Sequence, residues 1–131
     1  MNRILLLTPD VLLKRKVIRT AKEDSALIQT ASEPAFAWRL LKEYAFDLVI
    51  IDYQLHEESG LSFYKAIRQM GFSLPILMVG EGAFDEFMLK DLSPNHYDYL
   101  LKPFSSKELQ RKCHELTILN RYSSKLLEIG C

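Results

Sequence analysis

"DLVIIDYQLHEESG", residues 47–60, decides how this chain reads. Leu48, Val49, Ile50 and Ile51 form an unbroken apolar run that ends at Asp52. A run this short, closed by turn-forming residues, reads as a strand buried on both faces. A carboxylate at the end of a buried run is costly unless another group neutralises it. Asp52 therefore needs a partner, and the rest of the chain has to supply it.

Outward from this strand the pattern alternates. "RILLLT" (3–8), "ALIQT" (26–30), "LPILMV" (74–79) and "YDYLL" (97–101) are further strand candidates. Between them lie helical patterns. Asp10 suits the cap of a helix over about residues 11–24, with Leu13, Val17 and Ala21 inward. Ser32-Glu33-Pro34 opens a second helix, with Ser32 as the cap and Pro34 in the first turn. Its inward face is Ala37, Leu40, Leu41 and Tyr44. A third helix spans about 59–70, with Leu61, Tyr64 and Ile67 inward. A fourth is predicted near 83–92, with a left-handed exit at Asn95. Ser105-x-x-Glu108 is a capping box for the fifth. Five β-then-α units predict an α/β fold: a doubly wound, five-stranded parallel sheet with five helices. In such sheets function gathers beyond the carboxyl ends of the strands. Asp52 and Lys102, 50 positions apart, are predicted to converge there.

Composition narrows the class. The chain has 131 residues, 48% hydrophobic, which suits one core. Lys plus Arg and Asp plus Glu both number 17, so no excess of charge points to nucleic acid. No apolar run is long enough for a membrane span. "MNRILLLTPD" meets Pro9 and Asp10 too early for a signal peptide. The two cysteines, Cys113 and Cys131, show no metal spacing and predict no disulfide; a cytoplasmic setting is the expectation.

Asp52 ending the third strand, Gly60 eight positions later, "LPILMV", and Lys102-Pro103-Phe104 in "DYLLKPF" together resemble the receiver domain of two-component response regulators. The resemblance spans roughly residues 2–120. It implies the flavodoxin-like receiver fold, with a receiver domain over 1–121 and a C-terminal helix extension or tail over 122–131. It implies that Asp52 takes a phosphoryl group from a histidine kinase and that Lys102 contacts it. The Gln54 carbonyl matches a Mg²⁺ ligand, and Gly80 and Tyr99 match the two switch positions.

Several positions depart from that pattern. Thr8-Pro9 stands where the family has two acidic metal-holding residues. Asp10 matches the next position, and a shift of register would make it a surviving ligand beside Asp52 and Gln54. Gly80 lacks the switch hydroxyl, Glu81 brings a carboxylate to the rim, and His56 replaces a proline. With fewer anions in the site, no cofactor is expected, and any Mg²⁺ binding is weakened. A direct Asp52–Lys102 ion pair is the expected substitute.

The sequence therefore predicts an atypical receiver, not an enzyme, acting mainly as a protein-interaction module with impaired Mg²⁺-dependent phosphorylation. The alternative is a working phosphoacceptor at Asp52. Expected partners are a histidine kinase or downstream effector. A homodimer through the fourth helix, fifth strand and fifth helix is also expected, near Tyr99, Lys107 and Arg111. Direct nucleic-acid or membrane binding is not. A flavin carrier or small α/β enzyme lacks support, because no Gly-rich loop follows the first strand and no nucleophile–base pair is apparent. Cys113 reads as core. Trp38 suits either partial core or an exposed contact.

Overall fold

The central strands are apolar along most of their length because both of their faces are covered. In the computed structural model, which describes residues 2–81 and 97–130, β1 is Arg3–Leu7, β2 Leu27–Ala31, β3 Leu48–Asp52, β4 Ile76–Glu81 and β5 Tyr97–Lys102. All pairs are parallel, in the order β2-β1-β3-β4-β5. Side chains alternate between faces. Ile4, Leu6, Leu48 and Ile50 join one core, and Leu5, Leu7, Val49 and Ile51 join the other.

Helices α1 (Val11–Glu23) and α4 (Ser106–Gly130) cover the first face through Leu13, Val17, Leu109 and Leu116. Helices α2 (Pro34–Glu43) and α3 (Gly60–Gln69) cover the second through Ala37, Leu40, Leu41, Phe63 and Tyr64. The described residues thus hold four helices. The helix expected near 83–92 and the exit at Asn95 lie outside them. Asp10 caps α1 as expected, with its carboxylate accepting from Leu12 and Leu13 N–H. Ser105 and Glu108 form the reciprocal box at the start of α4. Among the described residues no helix is long and apolar enough to cross a membrane.

Some expectations need correction. Ser32 does not cap α2. Glu33 holds that position without a side-chain bond, while the Ser32 hydroxyl accepts from Lys14 Nζ at 3.3 Å. Because the helix starts at Pro34, Ser32 lies one residue before the cap position. Tyr44 is not on the buried face. The helix ends before it, and its ring lies under the Arg3 guanidinium at 4.9 Å. Strand β4 starts at Ile76 instead of Leu74, because Arg68 takes the Phe72 and Leu74 carbonyls at 3.0 and 2.8 Å. Trp38 resolves to partial core, 5.0 Å from Phe63 and 6.4 Å from Phe72.

Candidate functional site

Four chain segments meet at the carboxyl ends of the strands: the end of β1, the start of α1, the end of β3 and the end of β5. Parallel pairing puts these ends side by side, so residues far apart in sequence converge. Asp52 closes β3 and is 2% exposed. Its Oδ1 accepts from the Gln54 N–H at 3.0 Å. Its Oδ2 accepts from the Thr8 hydroxyl at 2.7 Å and lies 3.5 Å from Lys102 Nζ. The buried carboxylate therefore has the partners its position demanded.

Thr8 is itself buried at the end of β1. Its oxygen accepts from the Asp10 N–H at 3.0 Å, which leaves its proton for Asp52. Asp10 divides its carboxylate. Oδ1 caps α1 and Oδ2 sits 3.4 Å from Lys102 Nζ. Burial pushes the Asp10 carboxyl up, but the Leu13 and Leu12 N–H groups and the Lys102 charge outweigh this and hold it below its ordinary 3.8. Lys102 thus stands between two carboxylates. The Lys102–Pro103 peptide bond is cis, and Lys16 from α1 donates to the Phe104 carbonyl just beyond it.

A pocket of about 320 Å³ opens here, lined by Asp10, Asp52, Gln54, His56, Glu81 and Lys102 among others. Asp52 and Lys102 thus converge as expected, and Asp10 joins them while it caps α1. Glu81 is exposed and lies opposite Lys102 in the β4–β5 register. Among the described residues no group of three or more His, Cys, Asp or Glu side chains is arranged to hold a metal ion. Gly80 sits in β4 opposite Leu101 and presents no hydroxyl. Tyr99 is opposite Met78 and packs half-buried against the core of the α2–α3 face. Lys107 and Arg111 are exposed on α4.

Two features escaped the sequence reading. Thr8 counted there only as a lost acid, whereas it is the hydroxyl donor to Asp52. Its position at the end of an apolar strand was the available signal. Gly60 counted only as spacing. A Cβ there would stand 2.4 Å from the Asp52 carbonyl oxygen, so the start of α3 is pressed against β3 where only glycine fits. The Gly60 N–H donates to the Tyr53 carbonyl at 2.8 Å across this contact.

Known proteins resemble this chain in sequence and in fold. The family pattern described as response regulator receiver domain matches residues 6–114. The transcriptional regulatory protein BasR of Escherichia coli is 28% identical over 123 residues, covering 94% of this chain and 54% of BasR. The two-component response regulator PhoP of Pseudomonas aeruginosa is 26% identical over 114 residues, covering 87% of this chain and 51% of PhoP. The chain spans about half the length of these curated relatives. Among solved structures, chemotaxis response regulator CheY4 of Vibrio cholerae matches with a TM-score of 0.77 at 23% identity, over 88% of this chain and 98% of CheY4. Response regulator TrrA of Thermotoga maritima, in complex with Mg²⁺-BeF, matches with a TM-score of 0.74 at 27% identity, over 88% of this chain and 99% of TrrA. With the strand order, the Asp52–Lys102 pairing and a family match over most of its length, the chain belongs to the response regulator receiver domain family.

Proposed function

We propose that this chain is an atypical receiver, one that serves two-component signalling mainly as a protein-interaction module with impaired Mg²⁺-dependent phosphorylation. The observation that carries the reading is the Thr8–Asp52 hydrogen bond, made where the family pattern places metal-holding acids. The residues present fit Mg²⁺ poorly. Asp52, the Gln54 carbonyl and Asp10 are the only candidates the resemblance offers, and each Asp10 oxygen already has a partner in the α1 cap or in Lys102. A hard divalent ion needs several free oxygens in place of these contacts. The two carboxylates around Lys102, with Glu81 beside it, also disfavour an approaching phosphate. Gly80 offers no hydroxyl to bond a phosphoryl oxygen, so the family's switch hydroxyl is absent from this chain.

In this reading the chain is a binding module in the cytoplasm and not an enzyme. Its partners are a histidine kinase or a downstream effector. A homodimer through the expected fourth helix, β5 and the last helix is part of the same proposal. Direct contact with nucleic acid or membrane is not.

A second reading has its own support. Asp52, Lys102, Asp10 and Glu81 line one open pocket, which is the ground for a working phosphoacceptor at Asp52. Intact-mass measurement after incubation with acetyl phosphate, with and without Mg²⁺, separates the two. The expected result is no adduct while a competent receiver run alongside is modified. A Mg²⁺-dependent adduct that disappears in Asp52→Asn would overturn the first reading and establish the second.

A further inference from the structure

A cavity of about 280 Å³ lies between α1 and α4, toward the amino ends of the strands and away from Asp52. Its floor is apolar: Ile4, Val17, Ile50 and Leu109 line it, and all are buried. The gap has a simple cause. Where the two helices face each other the side chains are small, with Ala21 on α1 and Cys113 and Thr117 on α4. Dry apolar cavities of roughly 150 Å³ accept a benzene ring. At about 280 Å³ this one has room for a ring and a short arm.

The charge at its edge is one-sided. Asp24 lines it, and no Lys or Arg does among the described residues. The Asp24 field reaches inward: burial first, and the Asp24 carboxylate second, push the Cys113 thiol up to about 12. The lining hydroxyls are already committed. Thr20 donates to the Lys16 carbonyl at 2.9 Å, and Thr117 contacts the Cys113 and His114 carbonyls at 2.9 and 3.1 Å. Beyond them the edge carries His114, Asn2 and Gln110, whose amide donates to Glu23 at 3.3 Å, with Asp24 as the acidic residue of the lining.

We propose that this cavity binds a small organic cation, its single ring over the Val17–Ile50–Leu109 floor and its ammonium arm toward Asp24. Such a ligand would touch α1 and α4 together and so fasten the last helix to the sheet. The proposal is independent of whether Asp52 is phosphorylated.

The test uses the full chain and three probes of one shape: phenethylamine, 2-phenylethanol and 3-phenylpropionate, followed by amide NMR titration. Phenethylamine is expected to give saturable shifts at Ala21, Asp24, Cys113 and Thr117, the alcohol weaker ones and the acid the weakest. Asp24→Asn should weaken phenethylamine about threefold, the size of an exposed ion pair, and leave the alcohol unchanged. That substitution spares the end of α1, because the cap there is made by the Asp24 backbone N–H. Cys113→Met should fill the cavity and remove binding of all three from a chain that still shows its native circular dichroism. Absence of saturable shifts at these amides with phenethylamine overturns the proposal. So does equal binding of the acid and the amine, or full affinity in Asp24→Asn.

Discussion

Thr8 Oγ1 lies 2.7 Å from Asp52 Oδ2 and donates to it, across the ends of two neighbouring strands. The bond is strong because the acceptor is charged and both groups are buried. It also explains why Lys102 need not neutralise Asp52 alone. The ammonium is 3.5 Å from Asp52 and 3.4 Å from Asp10, so it serves both.

Thr8→Val keeps the shape and removes the donor. It should destabilise the chain by about 2 kcal/mol, the usual cost of stripping a buried charged group of one bond. Asp52→Ala should cost more, about 3 kcal/mol, because it breaks a largely buried pair. Urea denaturation reads both. Unchanged midpoints would show that Asp52 carries no structural load.

Gly60→Ala places a methyl group against backbone, 2.4 Å from the Asp52 carbonyl. Neither partner is a flexible side-chain end, so α3 or the loop after β3 must move. A loss of about 2 kcal/mol is expected, typical of overpacking. Gly71→Ala is the control. Gly71 has a φ of +92° with nothing within 4 Å of its Cβ position, so only backbone strain of about 1 kcal/mol applies. If Gly71→Ala proves the more damaging, the close approach at Gly60 is not what fixes this corner.

Asp10 should make stability sensitive to acid. Its pKa in the folded chain is below 3.8, so the unfolded chain takes up the proton first as pH falls. The stabilisation is complete above the unfolded value and is lost as pH drops through the folded one. Asp10→Asn keeps a good N-cap and removes the charge. The stability difference between wild type and Asp10→Asn should therefore shrink in acid. A difference that stays constant from neutral to strongly acidic solution would contradict this.

At the other extreme, Cys113 holds its proton up to about pH 12 when folded, against 9.0 ordinarily. Above 9.0 the unfolded chain loses a proton that the folded chain keeps. Stability must then fall as pH rises from 9.0 toward 12. Cys113→Val, close in size, should show a shallower alkaline decline in thermal melts. Identical slopes would mean the thiol is not held neutral by the fold.

Much of the fold was legible because its signals are local. Leu48–Ile51 declared a doubly covered strand, and Asp10 and Ser105/Glu108 declared their helix starts, each from neighbouring residues alone. The errors came where a helix start slipped by one residue or a distant group intervened. Ser32 lies one residue before the α2 cap, and Arg68 took the carbonyls ahead of β4. The candidate site followed the same rule. Asp52 and Lys102 were readable as a pair because parallel sheets align strand ends. The donor role of Thr8 was not, because sequence does not show where the hydroxyl of a strand-end residue points, although its place after β1 was the available signal. The α1–α4 cavity was invisible for a similar reason: it arises from small residues on two helices that sequence does not show facing each other.

Trp38, the single tryptophan of the chain, is wedged between Phe63 and Phe72 on the α2–α3 side of the sheet. The protein therefore carries one tryptophan reporter, and it watches one face. Its emission should follow the loosening of α2 and α3, while α1 and α4 can loosen in the dark on the far side. Backbone circular dichroism sees both. Overlaying the two signals in one denaturant titration turns an accident of placement into a gauge of cooperativity: coincident curves mean that the faces melt together, and a lag means that one outlives the other.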